Sequence, residues 1–412
     1  MEKKGGKRIT KTLNVLDAMM GTGKTTAMIR YMGELPPERR VIFCTPFLPQ
    51  IERVQAECKG RQFIAPDDEF MSKTANIKAL IQAGLNIATT HALFLRFDDE
   101  IRELIREQDY TLIVDEAMDV LAAYDISAYD AMVVTTDYCD TLDDGCLVWK
   151  VPDYDGVFDE VRADIDSGVV YQHNNRTLIK MCKIESFEAF SEVFLMTYLF
   201  EDQPCKAYFD IHEWSYKQWY IAGSSHEEYQ LTDTPVQYEY PDLKSLINVV
   251  HKMKRSTLKT DGGALSVAWY QEHAPAGDTE FQKLKRHMDS FFKEYGEAGV
   301  ELDMWTTFRE YRKNLSMTRY GSGFIACNSK ATNDYRQKCV LAYPINRYLN
   351  PNLINFVNKR GAKLTHNGFA LTEMIQWVWR SAIRDGQPIT LYLPSDRMFR
   401  LFVQWMKSVE KR

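Results

Sequence analysis

The chain has 412 residues, enough for two or three domains, and its 45% hydrophobic and 26% charged content is ordinary for a water-soluble globular protein. No apolar run is long enough to cross a bilayer, so no membrane partner is expected. The net charge of −6 excludes a uniformly basic coat for nucleic acid but leaves room for a local basic channel. The N-terminal Met1–Arg8 is basic without the apolar core of a signal peptide, and the expectation is a cytoplasmic protein. Eight cysteines are scattered without a Cys-x-x-Cys pair, so they read as reduced, mostly buried thiols and not as zinc ligands.

In chain order, the apolar run Leu13–Ala18 predicts a buried strand, and Ala27–Met32 predicts a helix. Between them lies Ala18-Met19-Met20-Gly21-Thr22-Gly23-Lys24-Thr25-Thr26. A strand, a glycine-bearing loop and a helix start are what a phosphate loop needs. Gly21 and Gly23 allow a tight turn that points amide N–H groups inward, and the helix N-terminus adds partial positive charge. Lys24 is placed to reach β- and γ-phosphates, and the Thr25 hydroxyl to ligate Mg²⁺. The cofactor-binding set is Ala18, Gly21, Thr22, Gly23, Lys24, Thr25 and Thr26.

Val41–Cys44 predicts a second strand, followed by the Thr45-Pro46 loop and a helix from Ile51 to Cys58. Asn86–Phe94 repeats the scheme as a short strand, the polar turn Thr89-Thr90-His91 and a helix start. Thr111–Val114 then delivers Asp115 and Glu116 to a strand end, where open α/β sheets bind ligands. Asp115 suits a Mg²⁺ ligand acting through water, and Glu116 suits the group that orients and deprotonates an attacking water.

These residues resemble the motifs of superfamily 2 helicases. Ala18–Thr25 resembles motif I, with Ala18 in the place where the loop pattern opens on Gly. Asp115-Glu116-Ala117-Met118 resembles the DEAD/DEAH box. Thr45-Pro46 and Thr90-His91 resemble motifs Ia and Ib, and the resemblance implies contacts from Thr45, Pro46, Thr90 and His91 to a nucleic-acid backbone. Ser191–Phe200 resembles motif III, with Thr197 present but not the Ser-Ala before it.

Residues 119–190 interrupt this order as an insertion, in which 169–173 and 177–182 flank Asn174-Asn175-Arg176 as a β-hairpin. The aromatic cluster Tyr208, Phe209, Trp214, Tyr216, Trp219 and Tyr220 reads as packing before it reads as a base-stacking platform. Residues 221–245 read as a polar connector. Beyond 246 a second α/β pattern begins. Strands are expected at Ala264–Tyr270, Leu302–Thr306, Gly323–Cys327, Cys339–Tyr343 and Pro388–Leu393, with a helix at Phe281–Tyr295.

The second half lacks a phosphate loop and resembles the second RecA-like lobe of helicase motors. Asn328–Tyr335 sits where motif V lies, implying nucleic-acid contacts from Lys330, Thr332 and Asn333. Together with Asn346–Pro351 it is similar to bacteriophage-encoded DNA helicases. Gln376–Arg384 resembles motif VI, with Gln376 and Arg380 at matching offsets and the second arginine one place late, at Arg384. On a continuous helix these three would share a face, which suits an arginine finger.

The fold expected is α/β: two tandem RecA-like P-loop NTPase domains with an inserted segment. The divisions are 1–118, the insertion 119–190, the return to the first domain at 191–222, a linker at 223–245, and the second domain at 246–412. The resemblance implies an ATP- and Mg²⁺-dependent DNA helicase or translocase. Lys24, Asp115, Glu116, Gln376, Arg380 and Arg384 would be its catalytic set, with ATP held between the lobes. It would act on single-stranded or forked DNA in phage replication or recombination, with replication-protein partners. An RNA helicase, a DNA-packaging motor and an ATP-gated binding module are the alternatives.

Overall fold

In the computed structural model, which describes residues 11–238, 240–254, 257–296, 300–327 and 335–410, the apolar β-branched runs form parallel strands. The first half supplies β1 (Thr12–Asp17), β2 (Arg40–Thr45), β3 (Phe63–Ile64), β4 (Asn86–Thr90) and β5 (Tyr110–Asp115). The inserted segment adds β6 (Leu121–Ala123), β7 (Cys139–Thr141), β8 (Leu147–Trp149), β9 (Val170–Asn174) and β10 (Thr177–Met181). After it come β11 (Glu192–Thr197), β12 (Ser215–Gln218), β13 (Tyr220–Ala222) and β14 (Gln230–Thr232). The second half carries β15 (Ile247–Val250), β16 (Asp303–Trp305), β17 (Val340–Ala342) and β18 (Ile389–Tyr392).

The chain forms two compact units, residues 1–235 with 350–364, and residues 236–349 with 365–412. The first is built on a seven-stranded sheet in the order β12-β1-β11-β5-β2-β4-β3, with every pairing parallel. Crossover helices such as Lys24–Glu34 and Leu48–Glu57 connect the strands, as parallel pairing requires. The second is built on the four-stranded parallel sheet β15-β18-β17-β16. Two tandem RecA-like α/β folds are therefore present, and the insertion lies in the first unit.

The inserted segment has its own core of Ala131, Val134, Cys139, Leu147, Ile165, Val170 and Leu178. The expected hairpin is there, β9 and β10 pairing antiparallel on a sheet completed by β6. Tyr138, Trp149, Tyr154 and Phe158 pack ring on ring beside this core. The later aromatic cluster is also packing: Tyr208, Phe209 and Trp214 are buried, and the Trp219 indole donates to Asn14 Oδ1 (2.8 Å).

Several expected elements take another form. Ala264–Tyr270 is not a strand: Leu265 is left-handed (φ 63°), the Ser266 hydroxyl accepts from Trp269 N, and a helix runs Val267–His273. The N-cap decides this against the apolar run. Gly323–Cys327 forms no strand beyond one bridge from Phe324 to Trp305. The connector at 221–245 contains the antiparallel hairpin β13–β14. The Thr279–Tyr295 helix does bury Phe281, Leu284, Met288, Phe291 and Phe292, the stripe its periodicity predicts.

The second half does not stay in the second unit. The Pro351–Lys359 helix buries Leu353, Phe356 and Val357 in the first unit, against the Pro204–Ile211 helix and β6. The insertion grips its end. Phe356 meets the Tyr171 and His173 rings edge-on, the Arg360 guanidinium lies 3.6 Å from the Phe356 ring centroid, and Arg360 Nη2 donates to the Asp144 carbonyl (2.6 Å). An apolar stripe with a cation over its aromatic explains why 350–364 interrupts the expected 246–412 domain.

Two stability predictions follow from this packing. Phe356→Ala empties a fully buried aromatic site and should cost about 3–5 kcal/mol, read as a lowered urea midpoint of the first unit. Asp303, 2% exposed in the second unit, has its carboxyl pushed up to about 6 by burial, against the pull of Lys338 and Arg319. The folded chain then keeps this proton up to about pH 6 while the unfolded chain releases it near about 4, so stability falls as pH rises between the two. Asp303→Asn should raise the thermal midpoint at pH 7.5, by an equivalent of about 2–3 kcal/mol, and lose that advantage at pH 4.

Candidate active site

The strand order decides what meets. β11 lies between β1 and β5, in register Asp17 with Thr197 and Met196 with Asp115. The loops leaving these strands share one sheet edge: Ala18 N donates to Thr197 O (3.1 Å), and Glu116 N donates to Met196 O (2.9 Å). The phosphate-type loop, the acidic pair and the Thr197 turn thus occupy neighbouring positions.

Gly21 (φ 85°) and Gly23 (φ 86°) are both left-handed, which is why glycine is needed at these turns. Gly23 is also the N-cap of the Lys24–Glu34 helix and brings no side-chain cap, so this helix start suits an anion. Lys24 Nζ turns back to the carbonyls of Ala18 (2.5 Å) and Met19 (3.0 Å). Thr22 Oγ1 also donates to Met19 O (2.8 Å), closing the loop from within. Lys24, Thr25 and Thr26 are half-buried. Thr26 Oγ1 accepts from Arg53 Nη2 (2.9 Å), tying the loop to the helix that follows β2.

Asp115 is 6% exposed, and Thr45 Oγ1 donates to its Oδ2 (3.4 Å). Burial, followed by the charge of Glu116, pushes its carboxyl up to about 7 despite the opposing pull of Lys24, Thr45 and Arg53. A buried carboxylate so disfavoured fits a position that a hard cation completes. Among the described residues no group of three His, Cys, Asp or Glu side chains could hold a metal alone. The oxygens of Asp115 and Thr25 suit Mg²⁺ that takes its other ligands from phosphate and water. Glu116 is half-buried with a left-handed backbone (φ 64°), an uncommon state for a non-glycine residue and one found often at active sites.

The remaining expected residues divide. Thr45 is fully buried with its hydroxyl on Asp115, so the structure makes it a partner of the acidic pair and not a surface donor. Pro46 is half-buried beside it. Thr90 caps the His91–Phe94 helix by accepting from Leu93 N, and His91 is 3% exposed. Lys330, Thr332 and Asn333 lie outside the described residues. Gln376, Arg380 and Arg384 do not share a helix face. The His366–Val378 helix stops at Val378, and Ala382–Asp385 forms a separate 3₁₀ turn. The cause is packing: Trp379, in the glycine place of the pattern, sits edge-on to Trp405. Arg380 is buried and its charge acts on the buried Tyr343 hydroxyl, while Gln376 and Arg384 are half-buried.

The chain matches known proteins along most of its length. It is 32% identical to the SPbeta prophage-derived uncharacterized protein YonV of Bacillus subtilis (strain 168), over 96% of this chain and 99% of that one. The chain belongs to the YonV family. The family model described as the YonV C-terminal Rossmann-like domain matches residues 241–406, which span the four-stranded sheet of the second unit. Among solved structures, S. tokodaii Xpd4 is similar in fold, with a TM-score of 0.50 at 13% identity over 96% of this chain and 94% of that one.

Sequence reasoning misses residues that hold this YonV-family site together. The Asp17 carboxylate accepts from Leu199 N (2.8 Å) and Phe200 N (3.1 Å), fixing the left-handed Leu199 after β11. Gln203, 4% exposed, donates through Nε2 to Thr197 Oγ1 and to Tyr198 O, each at 2.8 Å. The signal for Asp17 was an acid at the end of an apolar strand; nothing in the sequence marks Gln203. Replacing Gln203 by Leu leaves the Thr197 hydroxyl and Tyr198 carbonyl short of a buried partner. It should destabilise the chain by about 1–3 kcal/mol, checked by chemical denaturation.

Proposed function

We propose that this chain is an ATP-hydrolysing, nucleic-acid-dependent motor of the helicase type that works on single-stranded or forked DNA. The observation that carries the proposal is the single sheet edge shared by the Lys24 loop, Asp115-Glu116 and the Thr197 turn. An uncapped helix start suits phosphates, a buried oxygen ligand suits Mg²⁺, and a neighbouring carboxylate suits a water. The likeness to Xpd4 supports the tandem fold on which such motors are built.

In this reading the loop amides and Lys24 hold the β- and γ-phosphates of ATP, and Thr25 and Asp115 hold Mg²⁺, which neutralises phosphate charge. Glu116 orients the attacking water and takes its proton. Thr45 keeps Asp115 aimed through its hydroxyl. Arg380 and Arg384 are the cations proposed to act on the transferring phosphoryl group, and Gln376 to position them. Pro46, Thr90 and His91, with Lys330, Thr332 and Asn333, are proposed to lie along the nucleic-acid backbone. A prophage-derived relative suits work on phage DNA in the cytoplasm of a bacterial host. Among the described residues no helix is long and apolar enough to cross a membrane.

The test is steady-state ATPase activity with and without single-stranded DNA or RNA. DNA should stimulate turnover more than RNA; the reverse preference moves the substrate to RNA while keeping the motor. Glu116→Gln should lower kcat by about 10²–10⁴-fold with ATP binding retained, as loss of a general base does. Lys24→Ala should weaken nucleotide binding and turnover together. Full turnover by Glu116→Gln would remove the assigned water-activating role.

A further inference from the structure

The hairpin that follows β12 carries a residue that no motif assigns. A Cβ built on Gly23 would lie 2.3 Å from ring carbons Cδ2 and Cε2 of Tyr229, so the tyrosine ring rests directly on the backbone of the phosphate-type loop. Tyr229 immediately precedes β14 and is half-buried. Its position is braced. Arg30 Nη2, on the helix that the loop opens, donates to Glu227 O (2.5 Å). The Glu228 carboxylate accepts from Ser224 N (3.1 Å) and Ser224 Oγ (2.7 Å), and Tyr229 N donates to Ser225 O (3.1 Å). Gly223 (φ 96°) makes the turn, and a Cβ there would lie 2.5 Å from the Glu228 carbonyl.

A phosphate has no use for an aromatic face, but a nucleotide has one large apolar part, its base. We infer that Tyr229 is the base platform of the nucleotide site: the β13–β14 hairpin holds its ring beside Gly23, where it stacks on the base of a nucleoside triphosphate. The inference rests on reading the Ala18–Thr26 loop as an ATP site. It assigns base recognition to a segment downstream of the whole first sheet, which the sequence presents as a connector. Stacking tolerates any base, and the larger rings of purines gain more from it.

The experiment is calorimetric titration of the full chain with Mg²⁺ and, separately, ATP, UTP and inorganic tripolyphosphate. Tyr229→Ala should weaken ATP about tenfold or more, the scale of a lost stacking contact, and leave tripolyphosphate within about twofold. Tyr229→Phe should restore ATP binding. The wild-type preference for ATP over UTP should shrink in Tyr229→Ala. Unchanged tripolyphosphate binding shows that the variant is folded. Equal loss of ATP and tripolyphosphate, tighter binding of both, or unchanged ATP affinity overturns the inference while the phosphate-loop reading stands. A wild-type chain that binds neither ATP nor tripolyphosphate overturns both.

Discussion

The site depends on one pairing, that of β11 with its two neighbours. Residues 13–26 and 110–116 are far apart in sequence, and the strand that joins them arrives only after the 119–190 insertion. Parallel register fixes both loops at once: the Ala18 amide is held by Thr197 and the Glu116 amide by Met196. Because strands in a parallel sheet end on the same side, the same geometry that buries Leu112, Ile113, Val114 and Leu195 places the polar turns together. The Thr197 turn is itself locked from both sides, by Asp17 on β1 and by Gln203 after the turn. Folding and site assembly are therefore one event in this unit.

Much of the first half was legible because each strand is a short apolar run followed by a polar turn with its own chemistry. The loop at Gly21–Thr26 and the acids at 115–116 read directly, since each needs only local residue types at local spacing. Strand order did not read, because it is set by which hydrophobic faces meet across the insertion. Thr45 shows the limit of motif spacing: its place after β2 was legible, but the direction of its hydroxyl is decided by a carboxylate on β5. In the second half the failures share a cause. Val267-Ala268-Trp269 has strand residues, yet the Ser266 cap and the Leu265 turn start a helix. Asn346 fixes that turn, its N donating to Leu265 O (2.8 Å) and its Nδ2 to Gly262 O (3.3 Å) and Ala264 O (3.2 Å). Gln376–Arg384 has helical spacing, but Trp379 leaves the helix to pack on Trp405.

The insertion has a structural task that its composition does not reveal. It has its own core, so it does not depend on the sheet for burial. Yet its β9 and the turn at Asp144–Gly145 grip Phe356 and Arg360, whose helix leaves the second unit at Leu349 and returns at Thr365. A surface decoration would not close over a fully buried phenylalanine supplied from the other half of the chain. The chain thus crosses between its units three times, and two of those crossings flank a segment the insertion holds.

The charges around the loop depend on the same strand pairing. Lys24 spends its ammonium on two carbonyls of its own loop, and Asp115 sits buried with its proton affinity raised. Lys24 pulls that carboxyl down, but burial and the charge of Glu116 outweigh it, and the carboxyl stays up at about 7. Both groups lie at the sheet edge that the β1, β11 and β5 turns share. In the proposed function one meets phosphate oxygen and the other a hard cation, the charge pattern of a metal-bound phosphate. Arg53 links them in space, donating to Thr26 while its charge acts on Asp115, and no motif pointed to it. The chemistry proposed for this chain thus follows from which charges and oxygens the fold brings to one sheet edge.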